Sequence, residues 1–166
     1  ELIFDKLGMS STTFDSELSE AYRPRTATAH NRNGKPIPGK WHIYPEQAAA
    51  SLWTTPSDLA LLIIEILASH QGESNLVLSA EMTREMLTPQ ANIGENWDCG
   101  LAFNIVRKDG MTIIGHPGWN AGFHCIMLFC LEVGQGLIWM TNGENGRKLG
   151  LEISRGLADV VGWSWW

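Results

Sequence analysis

The sequence predicts an α+β fold in which helices lead into an antiparallel β-meander and one helix closes the chain. Three observations predict it. The apolar period is helical over residues 56–71 and again over roughly residues 146–161. After residue 98 the period drops to two. The strand signals then follow one another with no helix between them, the order of an α+β chain and not of a βαβ one.

The elements follow in order. Residues 1–7 read as the last turns of a helix that Gly8 closes. No start signal precedes ELIFDKLGM, so the chain is expected to begin inside a longer protein. Residues 10–50 show no sustained period and hold Pro24, Pro36, Pro38 and Pro45, which predicts a long irregular excursion. Its middle, residues 21–45, carries five Lys or Arg and no acid, and reads as a solvated loop. In TTPSDLALLIIEILASHQG, Thr55 suits the N-cap, Pro56 the first helical position and Asp58 the capping-box acid. Leu59, Leu62, Ile63, Ile66 and Leu67 form one face, and Ala60, Leu61 and Ile64 widen it, so a mostly buried helix is expected. Ser79 caps a shorter helix that stops before Pro89.

CGLAFNIVRKDGMTIIGH reads as a hairpin turned by Asp109-Gly110. FHCIMLFCLEVGQGLIWMTN reads as a second hairpin around Gly134 to Gly136, with the continuous apolar content of strands covered on both faces. In the last helix Leu149, Ile153, Gly156, Leu157 and Val160 make the stripe expected to pack on the sheet. GWSWW then reads as a surface aromatic tail.

Composition narrows the function. With 166 residues, 44% apolar and 18% charged, the chain is one globular domain and not a disordered one. A net charge of −6 argues against a nucleic-acid partner. No apolar run reaches transmembrane length, and no signal peptide is visible. Cys99, Cys125 and Cys130 have no metal-like spacing, and their odd number leaves one unpaired. Buried free thiols are expected. His116 and His124 have no carboxylate or cysteine around them at ligand spacing, so no metal is expected, and no cofactor motif is present. His30, His42 and His70 read as packed or surface residues.

GHPGWNAGF, residues 115–123, sets glycines and an imidazole along one strand. Glycine in a strand marks a bulge or a close approach by another backbone or a ligand. On local pattern alone the stretch reads first as a loop between strands.

Four stretches, taken together, resemble one family. IFDKLGMSSTTF, YPEQAAASLWTTPSDLALLI, WDCGLAFNI and GHPGWNAGFHCIMLFCLEVGQGLIWMTNGENG are similar, in the family's order, to segments in the C-terminal part of serine β-lactamase-like hydrolases. That family includes class C β-lactamases, penicillin-binding proteins, DD-peptidases and related esterases. The resemblance covers nearly all 166 residues. It implies that residues 1–166 are the C-terminal portion of one β-lactamase-like domain. Residues 1–97 would be mainly helix and loop, and residues 98–166 strands plus the last helix. The implied activity is acyl transfer from a β-lactam, D-Ala peptide or ester through an acyl-enzyme, with a small-molecule or peptide substrate. A non-catalytic relative that binds peptides or a protein partner is the alternative.

Of the family's three motifs only the last is present, as His116-Pro117-Gly118. No serine has a lysine three residues on, and neither Tyr22 nor Tyr44 has an asparagine two residues on. The chain alone is therefore expected to be inactive. By the resemblance, His116 contacts the substrate's polar end or tunes a tyrosine, Gly118 clears the strand edge, and the Trp119 N–H is an oxyanion donor. Pro117 stands where the family usually has Thr or Ser. Asn120 and Asn142 are the further substrate contacts it suggests. The resemblance also implies an extracytoplasmic setting. Because the family's N-terminal strands and helix are not in this sequence, self-association or a companion N-terminal fragment is expected.

Overall fold

The computed structural model describes residues 2–165. Its elements are α1 (Phe4–Leu7), a 3₁₀ turn (Arg23–Arg25), α2 (Gln47–Ala50), α3 (Pro56–Gln71), α4 (Ala80–Met86), β1 (Ala91–Gly94), β2 (Trp97–Cys99), β3 (Asn104–Lys108), β4 (Met111–Asn120), β5 (Phe123–Cys130), β6 (Gln135–Thr141) and α5 (Gly146–Val161). The six strands form one antiparallel sheet in sequence order, with helices before and after it. This is the α+β architecture that the change of period predicts.

Several boundaries follow from local chemistry. Gly8 and Gly72 are left-handed C-caps, as expected of glycine at those positions. The Thr55 hydroxyl accepts from the Asp58 N–H, with Pro56 at the first helical position. Ser79 caps α4 in the same way. Asp109 and Gly110 both have positive φ, the geometry that a two-residue hairpin of that type demands.

The strands begin earlier than the change of period indicates. The β1–β2 hairpin, turned at Glu95 and Asn96, has a short polar first strand with little β signal. The strand expected from Cys99 onward is broken: Gly100 N–H bonds the Phe103 carbonyl at 2.8 Å, and Ala102 has φ of 70°. β2 and β3 are therefore separate strands of a tight hairpin.

The core lies between α3 and one sheet face. Ile63 and Ile66 of α3 pack with Leu87, Phe103, Ile105, Ile114 and Phe129. The Phe103 and Phe129 rings meet edge to face at 5.9 Å. Alternation then assigns the sides of β4. Ile114, His116, Gly118 and Asn120 share the α3 face, whereas Ile113, Gly115, Pro117 and Trp119 face the opposite way, toward the layer that holds α5.

Four expectations are corrected. α3 is buried on one side only, because Leu61 and Ile64 are exposed. α5 does pack on the sheet, but through Gly146, Gly150, Ser154 and Ala158 and not through its leucine–isoleucine stripe. Its glycines let the helix backbone settle onto β6: a Cβ on Gly150 would lie 2.4 Å from the Trp139 ring, and one on Gly146 would overlap Thr141. The stripe of Leu149, Ile153, Leu157 and Val160 is left exposed. The aromatic tail folds back, with Trp165 buried, stacked on Trp163 at 4.8 Å and donating its indole N–H to Gln135 Oε1 at 3.2 Å. The tail's last residue, Trp166, lies outside the described residues. Finally, all three cysteines are free, but only Cys130 is buried.

Candidate active-site wall

The stretch His116–Asn120 is the distal half of β4, and its two edges differ. β5 pairs with it throughout, up to Asn120↔Phe123. β3 pairs only as far as Asn104↔Gly115. Beyond Gly115 the edge once occupied by β3 is open.

Parity decides which backbone groups face that opening. In an antiparallel ladder a residue's N–H and C=O point to the same side, and the side alternates along the strand. The Thr112 carbonyl accepts from Leu131 N–H at 3.1 Å, and the Thr112 N–H donates to Glu132 Oε2 at 2.7 Å, so Thr112 faces the β5 side. The register of β4 has no bulge. Even residues through Asn120 therefore face β5, and odd residues face the β3 side. The open edge thus presents the Pro117 carbonyl, then the Trp119 N–H and carbonyl. Proline lacks an N–H, and at this position the ladder does not need one.

The side chains separate on the two faces. His116 is exposed on the α3 side of the sheet, with Gly118 beyond it. A Cβ on Gly118 would come within 2.4 Å of Cys125 Sγ, its partner across the ladder. Burial pushes the Cys125 thiol above its ordinary range, against the partial offset of a hydrogen bond from the Gly118 backbone. The Trp119 indole lies on the opposite face, 68% exposed, and stacks flat on His124 at 5.8 Å. His124 in turn bonds the Glu144 carbonyl through Nε2 at 3.1 Å. The fold thus sets His116 and Gly118 on the α3 face of one short stretch of β4, turns the Trp119 amide to the open edge beside them, and places the Trp119 ring on the opposite face.

Both asparagines have a partner within the fold. Asn120 Nδ2 donates to the Ala50 carbonyl at 2.8 Å, and Asn142 Nδ2 donates to the Thr28 carbonyl at 2.9 Å. Sequence reasoning missed the residues that hold the β4–β5 turn. Tyr44 Oη accepts from the Ala121 N–H at 2.9 Å, and Glu144 Oε2 accepts from the Gly122 N–H at 2.8 Å. Phe123 meets Trp53, which meets Trp41, in successive edge-to-face contacts of 5.8 and 5.2 Å. Only the Gly118–Cys125 contact had a local signal, since a two-residue turn at Ala121-Gly122 sets those positions opposite. A concavity of about 440 Å³ lies along the strand, with Val106, Ile113, Pro117, Ile126 and Leu151 in its lining together with His116, Gly118 and Trp119. Among the described residues no group of three or more His, Cys, Asp or Glu is placed to hold a metal.

With this geometry in hand, comparison with known proteins decides the family. The family model described as Beta-lactamase matches residues 1–161.

The chain belongs to the beta-lactamase family.

Solved structures carry the same fold. A penicillin-binding protein from Bacillus halodurans superposes with a TM-score of 0.75 at 16% identity over 93% of this chain. An octameric penicillin-binding protein homologue from Pyrococcus abyssi gives 0.77 at 17% over 97%. A β-lactamase/D-alanine carboxypeptidase from Pseudomonas syringae gives 0.69 at 13% over 85%. The chain spans 47%, 36% and 46% of those three proteins. No curated protein sequence matches it. Within the beta-lactamase family, then, this chain carries the antiparallel sheet, its closing helix and the strand with His116-Pro117-Gly118. No helix among the described residues is long and apolar enough to cross a membrane.

Proposed function

We propose that this chain is the C-terminal part of a serine acyl-transfer hydrolase and supplies one wall of its cleft. The observation that carries the reading is the open edge of β4 beyond Gly115, with the Trp119 N–H on it and no side chain at Gly118. A substrate acyl group lying along that edge meets a backbone donor and a bare strand.

A serine hydroxyl attacks the substrate carbonyl, and the C–N or C–O bond breaks after a tetrahedral intermediate. The Trp119 N–H donates to the developing oxyanion, and the nucleophile's own N–H supplies the second donor. The acyl-enzyme is then released by water. His116 stands at the start of the edge, placed to meet the substrate's polar end or the hydroxyl of a proton-handling tyrosine. Pro117 offers no hydroxyl to a substrate carboxylate, which favours an ester or peptide over a β-lactam.

The nucleophile and its base are not in this sequence. The chain by itself therefore hydrolyses nothing. In a polypeptide that joins it to a Ser-x-x-Lys segment, a fluorophosphonate or fluorescent penicillin labels the serine, and His116→Ala slows turnover. An unlabelled longer polypeptide overturns the enzymatic reading and leaves a non-catalytic binder.

A further inference from the structure

The far end of the cleft wall hangs on a turn that its own residues do not hold. β3 leaves β4 after Gly115, so residues 116–120 pair with β5 alone. They end in the two-residue turn Ala121-Gly122, closed by the pair Asn120↔Phe123. Of the two turn residues only Gly122 has positive φ, at 76°. The turns whose twist suits a two-residue hairpin need positive φ at the first central residue or at both. A turn with positive φ at the second alone splays the strands it joins. Other groups must therefore hold the end of β4 in place.

Two side chains from distant segments do so. The Ala121 N–H donates to Tyr44 Oη at 2.9 Å, and the Gly122 N–H donates to Glu144 Oε2 at 2.8 Å. Both turn donors are thus taken from outside the hairpin. Gly122 is buried, and a Cβ on it would lie 2.7 Å from Ala29 Cβ and 2.9 Å from the His30 nitrogen. The turn is seated against the long irregular segment, and that seat is itself braced. Ala29, fully buried, donates its N–H to the Lys40 carbonyl at 2.7 Å and accepts from the Ile37 N–H at 2.9 Å. The His30 N–H donates to the Asn142 carbonyl at 3.0 Å, and the His30 carbonyl accepts from the Glu144 N–H at 2.9 Å. Every bond of this clamp lies within the chain.

We propose that Tyr44 and Glu144 are positioning residues for the cleft wall. By taking the two turn N–H groups they fix the end of β4, and so aim the Trp119 N–H along the open edge. The catalytic consequence rests on the acyl-transfer reading above; the clamp does not. Tyr44 comes from the segment before α2 and Glu144 from the loop between β6 and α5, and both bond the turn, not the edge. A misplacement of about 1 Å can cost about a hundredfold in rate. Loss of one of the two clamp bonds is expected to cost about tenfold.

Two measurements test this, and the first needs no chemistry. Amide relaxation by NMR reads the order of the wall in the purified chain. The Trp119 and Ala121 amides are expected at order parameters of about 0.85, those of rigid backbone. Tyr44→Phe keeps the ring and its stacking on His42 at 6.3 Å, yet lowers both toward about 0.6. Glu144→Ala does the same, and Glu144→Gln, which keeps an acceptor oxygen, restores the order. In the polypeptide joined to a Ser-x-x-Lys segment, Tyr44→Phe lowers kcat about tenfold and leaves KM unchanged, as for a contact made only in the transition state. The loss disappears in a Trp119→Pro background, where no edge N–H remains to be aimed. Order parameters unmoved by Tyr44→Phe and Glu144→Ala overturn the proposal. So does a loss that appears in KM alone, or one as large with Trp119→Pro as without it. A joined polypeptide that turns nothing over, with the relaxation result as expected, contradicts the acyl-transfer reading and supports the clamp.

Discussion

Replacing Gly118 by alanine tests the geometry of the wall in a single step. The added Cβ would lie 2.4 Å from Cys125 Sγ, where ordinary van der Waals contact begins near 3.4 Å. About 1 Å must be recovered. β4 is held by β5 on one side, so the thiol has to move and not the backbone. The Sγ can turn to another rotamer, which puts the cost in the lower part of the range of about 1–3 kcal/mol for overpacking. At about 2–4 °C per kcal/mol for a chain of this size, Tm falls by about 2–8 °C. Thermal unfolding followed by circular dichroism measures it. Cys125→Ala removes the clashing atom and alone costs about 0.5–1.5 kcal/mol as a small cavity. The double variant should be no less stable than Cys125→Ala, giving a coupling of about 1 kcal/mol or more. If Gly118→Ala costs as much with Cys125→Ala as without it, the two residues do not face each other. The register that puts the Trp119 N–H on the open edge would then be wrong as well.

Other outcomes follow from the same structure. Gly115→Ala should be worse than Gly118→Ala, about 3 kcal/mol, because its Cβ meets the Met127 carbonyl at 2.4 Å, and Cys125→Ala should not rescue it. Pro117→Ala should change Tm by less than about 2 °C, since position 117 faces away from the β5 ladder. Asp58→Ala should cost about 1–3 kcal/mol in chemical unfolding: buried Asp58 accepts from the Ser11 N–H at 2.8 Å and the Thr12 hydroxyl at 2.6 Å, and its loss strands the Ser11 N–H and leaves the Thr12 hydroxyl only Thr54, 2.8 Å away. Asp98 is held below the usual carboxylate range by Asn92 first and then by Arg107. Its contribution is therefore present above the unfolded-state value and fades as pH falls below about 4, so the protection of the β1–β3 amides relative to their intrinsic exchange rate should fall on acidification, and Asp98→Asn should flatten that response.

How much of this was legible in the sequence depends on how local each cause is. The α3 cap needs only Thr55, Pro56 and Asp58, and the β3–β4 turn only Asp109 and Gly110, so both read directly. The α5 stripe misled because apolar period reports that a face is greasy, not which surface covers it. The choice fell to Gly146 and Gly150, whose fit against Thr141 and Trp139 is a tertiary fact. The partners of Asn120 and Asn142 within the fold, Ala50 and Thr28, were not legible because they lie 70 and 114 residues away in the long irregular segment. The placement of His116, Gly118 and Trp119 on one strand came from the family resemblance. The openness of that strand's edge came only from seeing where β3 begins.

As proposed above, this chain is one wall of an acyl-transfer cleft whose nucleophile lies elsewhere. Its most direct test is the hydrolysis of a chromogenic β-lactam and a nitrophenyl ester, by the purified chain and by the same chain joined to a Ser-x-x-Lys segment. The chain alone should show only the buffer rate. The joined polypeptide should turn over substrate at a rate that drops about 10²–10³-fold when Trp119→Pro removes the edge N–H. Hydrolysis by the chain alone, or turnover in the joined polypeptide that ignores Trp119→Pro, would contradict it.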